Sequence, residues 1–285
     1  YRNGAIFLAL LAATVLLLKL RRWVRRWMEP FFSPRMFLRH RRSWLKGRTV
    51  VVCAGDSITH GVASADYVAL LRARWTGEGY TFVNGGINGE LAYNLLRRLD
   101  AIIACRPDVL TLLIGTNDVN ATFSAAQAQQ YRRNMRLPQL PSLEWYSSNV
   151  ALILDRLQAG TSARIAVLSL PPLGEDLDSA INRRVLEYNA ALRHLAAERG
   201  VLYLPLHERL AALLPSGHHP PPYAGKLGPI FSAVLQHDLL RRSWDDISAR
   251  RGVALLTDHI HLNERAAGVV ADLIGDFLRA KTPAA

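Results

Sequence analysis

Four short segments carry side chains that together could perform acyl transfer: Gly55-Asp56-Ser57-Ile58-Thr59, Asn84-Gly85-Gly86-Ile87-Asn88-Gly89-Glu90, Gly115-Thr116-Asn117-Asp118 and Asp258-His259-Ile260-His261-Leu262. A serine hydroxyl is a weak nucleophile, so an imidazole must take its proton as it attacks a carbonyl carbon. His261 is the candidate base. Asp258, three residues earlier, can turn back to hold the other ring nitrogen, fixing the tautomer and stabilising the imidazolium. Negative charge then grows on the substrate oxygen, and a glycine loop and an amide side chain are suitable donors for it.

Each segment alone also reads as ordinary structure. Asp and Ser are common helix caps, so Gly55-Asp56-Ser57 fits a strand-to-helix turn with Asp56 organising the loop. Gly115-Thr116-Asn117-Asp118 fits a turn braced by Asp118. His259 and His261 could be a metal pair, but no third ligand spacing is evident, and no metal site is expected. His60, too near Ser57 in sequence for in-line proton removal, reads as pocket lining. The run His218-His219-Pro220-Pro221-Pro222 reads as a rigid loop facing solvent. What separates the reactive reading from these is four segments in order.

The elements that must position them are legible from periodicity. Near-continuous apolar runs at Thr49–Gly55, Tyr80–Gly86, Val109–Gly115, Arg164–Leu170 and Val201–Leu206 suit strands buried on both faces. Helical patterns alternate with them at Ala65–Thr76, Tyr93–Cys105, Leu143–Gln158, Ala180–Arg199 and Glu264–Ala280. This alternation predicts an α/β fold: a flavodoxin-like, three-layer α/β/α sandwich around a five-stranded parallel sheet of order 2-1-3-4-5. The unusual residues fall at the carboxyl ends of the strands, where such sheets bind ligands. The alternation breaks over 207–257, long enough to be an insertion or cap, with one helical stretch over 232–247. Its Leu210, Leu213, Leu214, Tyr223, Leu227, Ile230, Phe231, Val234 and Leu235 could wall an acyl pocket, meet lipid, or simply pack on the body.

In order and spacing, ending in D-x-x-H, the four segments resemble the blocks of the SGNH hydrolase superfamily, the GDSL esterases and lipases, over roughly residues 49–280. The resemblance implies Ser57 as nucleophile, with Ile58 where the name motif has leucine, and Asp258 and His261 as its partners. It puts the family asparagine on Asn117 and the glycine of the second block on Gly89, with Gly86 as the other register. The oxyanion hole would then be the backbone N–H groups of Ser57 and Gly89 and the Asn117 amide. No cofactor is implied.

Charge divides the chain of 285 residues: residues 1–48 hold twelve Lys/Arg against Glu29 alone, and the remainder 23 against 22. A basic groove spread over the body is therefore excluded, and with it a nucleic-acid partner. Residues 4–18 carry no charge and span about 22 Å as a helix, short for a membrane crossing but extendable by snorkelling. Leu20, Trp23, Val24, Trp27, Met28, Phe31 and Phe32 then recur at three- and four-residue steps with arginines between them, which predicts a helix in the membrane interface. Pro30 should end it near Phe31, and Pro34 should extend the break. Positive charge after the apolar run, with bulky residues at its exit, argues against a cleaved signal peptide. Two cysteines, Cys53 and Cys105, lie in apolar stretches and exclude a disulfide scaffold.

The expectation is a membrane anchor over 1–48 and a hydrolase domain over 49–281. The arginine flank puts the domain on the cytoplasmic side of a bacterial-type inner membrane, with the periplasmic side as the alternative. The expected activity is hydrolysis of acyl esters, lipid or lysophospholipid, through an acyl-serine. The alternatives are an acetyl-ester or thioester hydrolase, or an inactive membrane-bound binding protein on the same fold. Oligomeric state is left open.

Overall fold

Strand β1 (Thr49–Gly55) is an interior strand of the sheet in a computed structural model of the chain, described at residues 14, 17, 18, 21, 23–45, 48–225 and 228–280. It pairs in parallel with β2 (Tyr80–Gly86) on one side and β3 (Val109–Leu113) on the other. Beyond β3 come β4 (Arg164–Leu168) and β5 (Leu202–Leu204), giving the expected order β2-β1-β3-β4-β5. Gly55 pairs with both Gly86 and Leu113, so three strands end at one level. The loops that leave this level begin with Asp56, Ile87 and Ile114.

Alternation along β1 divides the core. Val51 and Cys53 face a layer of helices Tyr67–Trp75, Leu206–Ala211, Gly228–Leu240, Trp244–Arg250 and Glu264–Arg279. Val50, Val52 and Ala54 face Ala92–Arg97, Leu99–Ile103, Leu143–Gly160 and Ala180–Glu198. The sheet is thus covered on both sides, which is why its strands read as apolar runs. Both cysteines are buried, and burial pushes each thiol up to about 12.

Several boundaries differ from expectation for local reasons. Strand β3 stops at Leu113 because Gly115 takes φ +130° and caps the helix Thr116–Ala121. The Leu170 N–H leaves the ladder for Asn189 Oδ1 at 2.7 Å, ending β4 early. Pro205, without an N–H, shortens β5 before Leu206 starts a helix. The expected helix 93–105 is two, broken at Arg98, whose side chain turns inward. The helical stretch over 232–247 is also two, separated at Arg241 with φ +53° and restarted by the Ser243 cap.

At the other end, residues 23–28 are helical and Glu29 and Pro30 end the segment. Pro34 does not extend the break as expected but opens the helix Pro34–Leu45, since a proline is well suited to the first helical position. Ser33 caps it through Met36 N–H at 3.2 Å. The chain is held to the body here: the Phe32 carbonyl accepts from Asn84 N–H at 3.0 Å, and Phe37 is fully buried in the core. The apolar run 4–18 lies outside the described residues except for 14, 17 and 18, as does Leu227. Among the described residues no helix is long and apolar enough to cross a membrane. The histidine-proline run is not wholly solvent-facing: His218 Nε2 lies 2.6 Å from the buried Glu175 carboxylate, while His219, Pro221 and Pro222 are exposed.

Candidate active site

At the end of β1 the chain turns into the short helix Ser57–His60, capped by Asp56 Oδ1, which accepts the Ile58 N–H at 3.0 Å. Ser57 is thereby the first helical residue, its Oγ directed across the strand ends. The candidate base, His261, arrives on a loop rather than a strand. Asp258 Oδ1 accepts the backbone N–H groups of Ile260 and His261 at 3.0 and 2.9 Å, curling the loop so that its Oδ2 meets His261 Nδ1 at 2.8 Å. His259 takes φ +74° at the tip, and Thr257 N–H closes the loop on the His261 carbonyl at 2.7 Å. His261 Nε2 then stands 2.8 Å from Ser57 Oγ, across 204 positions of sequence.

Electrostatics suit the tautomer this requires. Burial raises the carboxyl pKa of Asp258, but the His261 charge, its hydrogen bond and two backbone N–H groups outweigh burial and hold it below the usual range. Burial likewise lowers His261, and the Asp258 charge and hydrogen bond, with the charge of Asp56, reverse this and leave it above ordinary histidine. With Asp258 ionised, Nδ1–H donates to it and Nε2 accepts the Ser57 O–H.

A pH profile follows. Protonated His261 cannot accept a proton, so kcat/KM for a short acyl ester should fall as pH drops through an acid limb centred above the ordinary value of 6.5. Asp258→Asn removes the charge that raises it and should move the midpoint down. A native midpoint below 6.5 in a pH–rate series would count against His261 as the base.

The loop after β2 distinguishes the two glycines. Gly86 N–H is already committed to Asn84 Oδ1 at 3.0 Å, and a Cβ there would lie 2.2 Å from the His60 nitrogen, so it is a packing glycine. Gly89 takes φ +76°, a region that favours glycine, at the tip of the loop. Asn117 reaches this loop from the helix after β3, donating one amide N–H to the Glu90 carbonyl at 3.0 Å. Its Oδ1 accepts the Tyr131 hydroxyl at 2.9 Å, which fixes which way the amide faces. Tyr131 in turn accepts from Asn120 Nδ2 at 3.0 Å, and Asn120 Oδ1 accepts from Gln127 and from the Tyr223 hydroxyl. A cleft of about 160 Å³ opens beside Gly89, bordered by Tyr131, Gln127, Asn134 and Met135.

Residues that the sequence did not single out hold these loops. Arg98 donates to Glu90 Oε2 at 2.7 Å and to the carbonyls of Gly85 and Gly55 at 2.8 and 3.2 Å, tying β1, β2 and the glycine loop. Glu175 accepts the backbone N–H groups of Ala254, Leu255 and Leu256 at 2.7, 2.7 and 2.9 Å, anchoring the approach to Asp258. Asp118 Oδ2 accepts the Ala92 N–H at 3.1 Å, and burial pushes its carboxyl, like that of Asp56, up to about 7. His60 is buried and neutral, driven down to about 4 by burial and by the charge of Arg26. Among the described residues no three His, Cys, Asp or Glu side chains gather as a metal site.

Solved structures share the fold. The acetyl xylan esterase AlAXEase is 18% identical, covering 80% of this chain and 99% of its own at a TM-score of 0.57. LAE5, described as an alpha/beta hydrolase enzyme from the metagenome of Lake Arreo, Spain, is 21% identical over 80% of this chain and 93% of its own, at 0.53. The acetylxylan esterase Axe2 from Geobacillus stearothermophilus is 16% identical over 84% and 97%, at 0.56. No curated protein matches the sequence. The profile of the GDSL-like Lipase/Acylhydrolase family matches residues 53–268, and the chain belongs to that family of serine ester hydrolases.

Proposed function

We propose that the chain is a membrane-attached esterase that hydrolyses acyl esters through an acyl-serine on Ser57. The observation that carries this reading is the continuous alignment of Ser57 Oγ, the His261 ring and the Asp258 carboxylate at 2.8 Å spacings. Ser57 Oγ attacks the ester carbonyl as its proton passes to His261 Nε2. The oxyanion is met by the Ser57 and Gly89 backbone N–H groups and the free N–H of Asn117. Collapse breaks the carbon–oxygen bond to the alcohol, which leaves with the proton from His261. Water then adds to the acyl-serine with His261 again as base, releasing the acid and restoring the hydroxyl.

Residues 49–281 form the catalytic unit in this reading, with 207–257 as its insertion, and residues 1–48 supply attachment. An uncharged run followed by tryptophans and arginines suits insertion with the rings at headgroup depth. The arginine flank favours a cytoplasmic catalytic domain. Attachment concentrates the site at a bilayer, which favours lipid substrates such as lysophospholipids. A second reading, an esterase of acetylated saccharides, is favoured by the amide-bordered cleft beside Gly89 and by the names of the structural neighbours.

The full chain in phospholipid vesicles, assayed against lysophospholipid and against acetylated xylooligosaccharide with Ser57→Ala as blank, separates the two. Release of fatty acid above the blank is expected. Acetate release alone selects the saccharide reading, and release of neither from a folded chain selects a binding protein.

A further inference from the structure

We infer that the helix Gly228–Leu240 is a second membrane contact, forming with residues 23–31 a surface that rests on an anionic phospholipid bilayer at the rim of the catalytic cleft. This rests on the proposed membrane attachment and adds a site to it outside residues 1–48.

The helix buries Ala233 and Val234 in the core, yet Phe231, Leu235 and Leu239 recur at four-residue steps on another side and are 63%, 57% and 69% exposed. Such a row of large apolar side chains is unusual on a surface that meets only water. It also abuts a second apolar surface. The Trp27 ring stacks on Phe231 with centroids 6.3 Å apart, and Trp23 Nε1 donates to Asp238 at 2.8 Å. Beyond these contacts Met28 and Phe31 remain 74% and 68% exposed. The acidic side chain of this helix, Asp238, is covered: besides Trp23 it faces Arg26 at 3.3 Å. Arg21 and Arg25 stay exposed, so the charge offered outward is positive.

A bilayer fits this surface better than a second copy. Two copies would bring together two heads that each carry twelve basic residues against one acid, whereas anionic headgroups complement them. In sequence, residues 23–31 also follow closely on the uncharged run 4–18. A cleft of about 650 Å³ beside this surface is bordered by Arg25, Arg26, Glu29, Pro30, Phe31 and Met36. Glu29 accepts the Ser33 hydroxyl and Arg26 faces Asp238, which leaves Arg25 as the cation beside apolar walls for a phospholipid headgroup.

Both parts of the surface are joined to the catalytic loops. The Trp27 carbonyl accepts Asn88 Nδ2 at 2.9 Å, one residue before Gly89. Arg251 donates to the Pro229 carbonyl at 2.9 Å and to the Thr257 carbonyl at 2.7 Å, linking the first turn of the helix to the residue before Asp258. A bilayer resting here lies against the loop of the oxyanion glycine and the loop of the base.

The test uses the full chain with a single introduced thiol, Leu235→Cys or Leu239→Cys, labelled with an environment-sensitive nitrobenzoxadiazole dye. Cys53 and Cys105 are buried with thiols near 12, so the label goes to the new site. Leu152→Cys and Leu186→Cys, exposed leucines on helices of the opposite layer, are the controls. Hydrolysis of p-nitrophenyl acetate verifies that each labelled chain is folded. With phosphatidylcholine–phosphatidylglycerol vesicles, emission at 235 and 239 should shift to the blue and be quenched by doxyl lipids, while 152 and 186 stay unchanged. Chain that sediments with vesicles but gives water-like emission at 235 and 239 overturns this contact and leaves attachment through 1–48 standing. Chain that does not sediment overturns both. A blue shift without vesicles, accompanied by a doubled hydrodynamic mass, assigns the surface to a second copy instead.

Discussion

Ser57→Ala is expected to lower kcat for a short acyl ester by about 10⁵- to 10⁶-fold, the scale of losing a serine nucleophile whose residual catalysis comes from oxyanion donors and binding alone. The size follows from the loss of the covalent route: His261 is left with no hydroxyl to activate, and water must attack the bound ester directly. The fold should be unaffected. Alanine loses the Ser57 Oγ bond to His261 Nε2, while the turn keeps the Asp56 cap and the Gly61 N–H bonded to the residue 57 carbonyl at 3.1 Å. A neutral hydrogen bond contributes about 1 kcal/mol, so thermal unfolding should move little. The measurements are active-site-titrated kcat and a melting curve on both proteins. Turnover persisting within tenfold of native would remove Ser57 as nucleophile.

Asn117→Ala should cost about 10² to 10³ in kcat with KM nearly unchanged, because an oxyanion donor acts on charge that exists only after attack begins. The alternative is that Asn117 merely props the glycine loop, since it also bonds the Glu90 carbonyl. Tyr131→Phe separates these. It leaves the amide in place and removes the hydroxyl that sets its orientation, so a loss of about fivefold in kcat is expected, the equivalent of about 1 kcal/mol. If Asn117 is a prop, its removal should destabilise the chain and raise KM, and Tyr131→Phe should leave kcat alone. Steady-state kinetics on both variants, with melting curves, distinguish the outcomes.

Much of the fold is written in local composition. Runs such as Thr49–Gly55 are apolar from Val50 onward because helices cover both faces, which marks the strands as parallel and buried, while their order 2-1-3-4-5 comes from the flavodoxin-like winding and not from the runs themselves. The four reactive segments stand out for a related reason: Ser57, Gly89, Asn117, Asp258 and His261 are followed or preceded by strand or helix signals that locate them at strand ends. The structure brings Ser57, His261 and Asp258 within hydrogen-bonding reach and bonds Asn117, from the helix after β3, to the loop that carries Gly89. What could not be read was the support. Tyr131 sits in AAQAQQYRRN, a helix with Ala128 as its buried residue, whose polarity resembles a loop. Arg98 looks like any surface arginine in a helical pattern, yet it breaks the helix to satisfy three oxygens from two strands and a loop. Glu175 serves backbone groups about eighty positions away, a contact with no local signature. The same limit applies to the head, where periodicity predicts amphipathic helix but not that Trp27 meets Phe231 or that Phe37 enters the core.

The order of the parts along the chain has a consequence for biosynthesis. Ser57 lies in the turn that follows β1, whereas its proposed base, His261, lies just before the helix Glu264–Arg279, which is docked beneath the sheet. A nascent chain that has emerged through β5 has its hydroxyl in place but nothing to deprotonate it. Ribosome-bound intermediates that lack residues 258–261 are therefore expected to be inert toward esters.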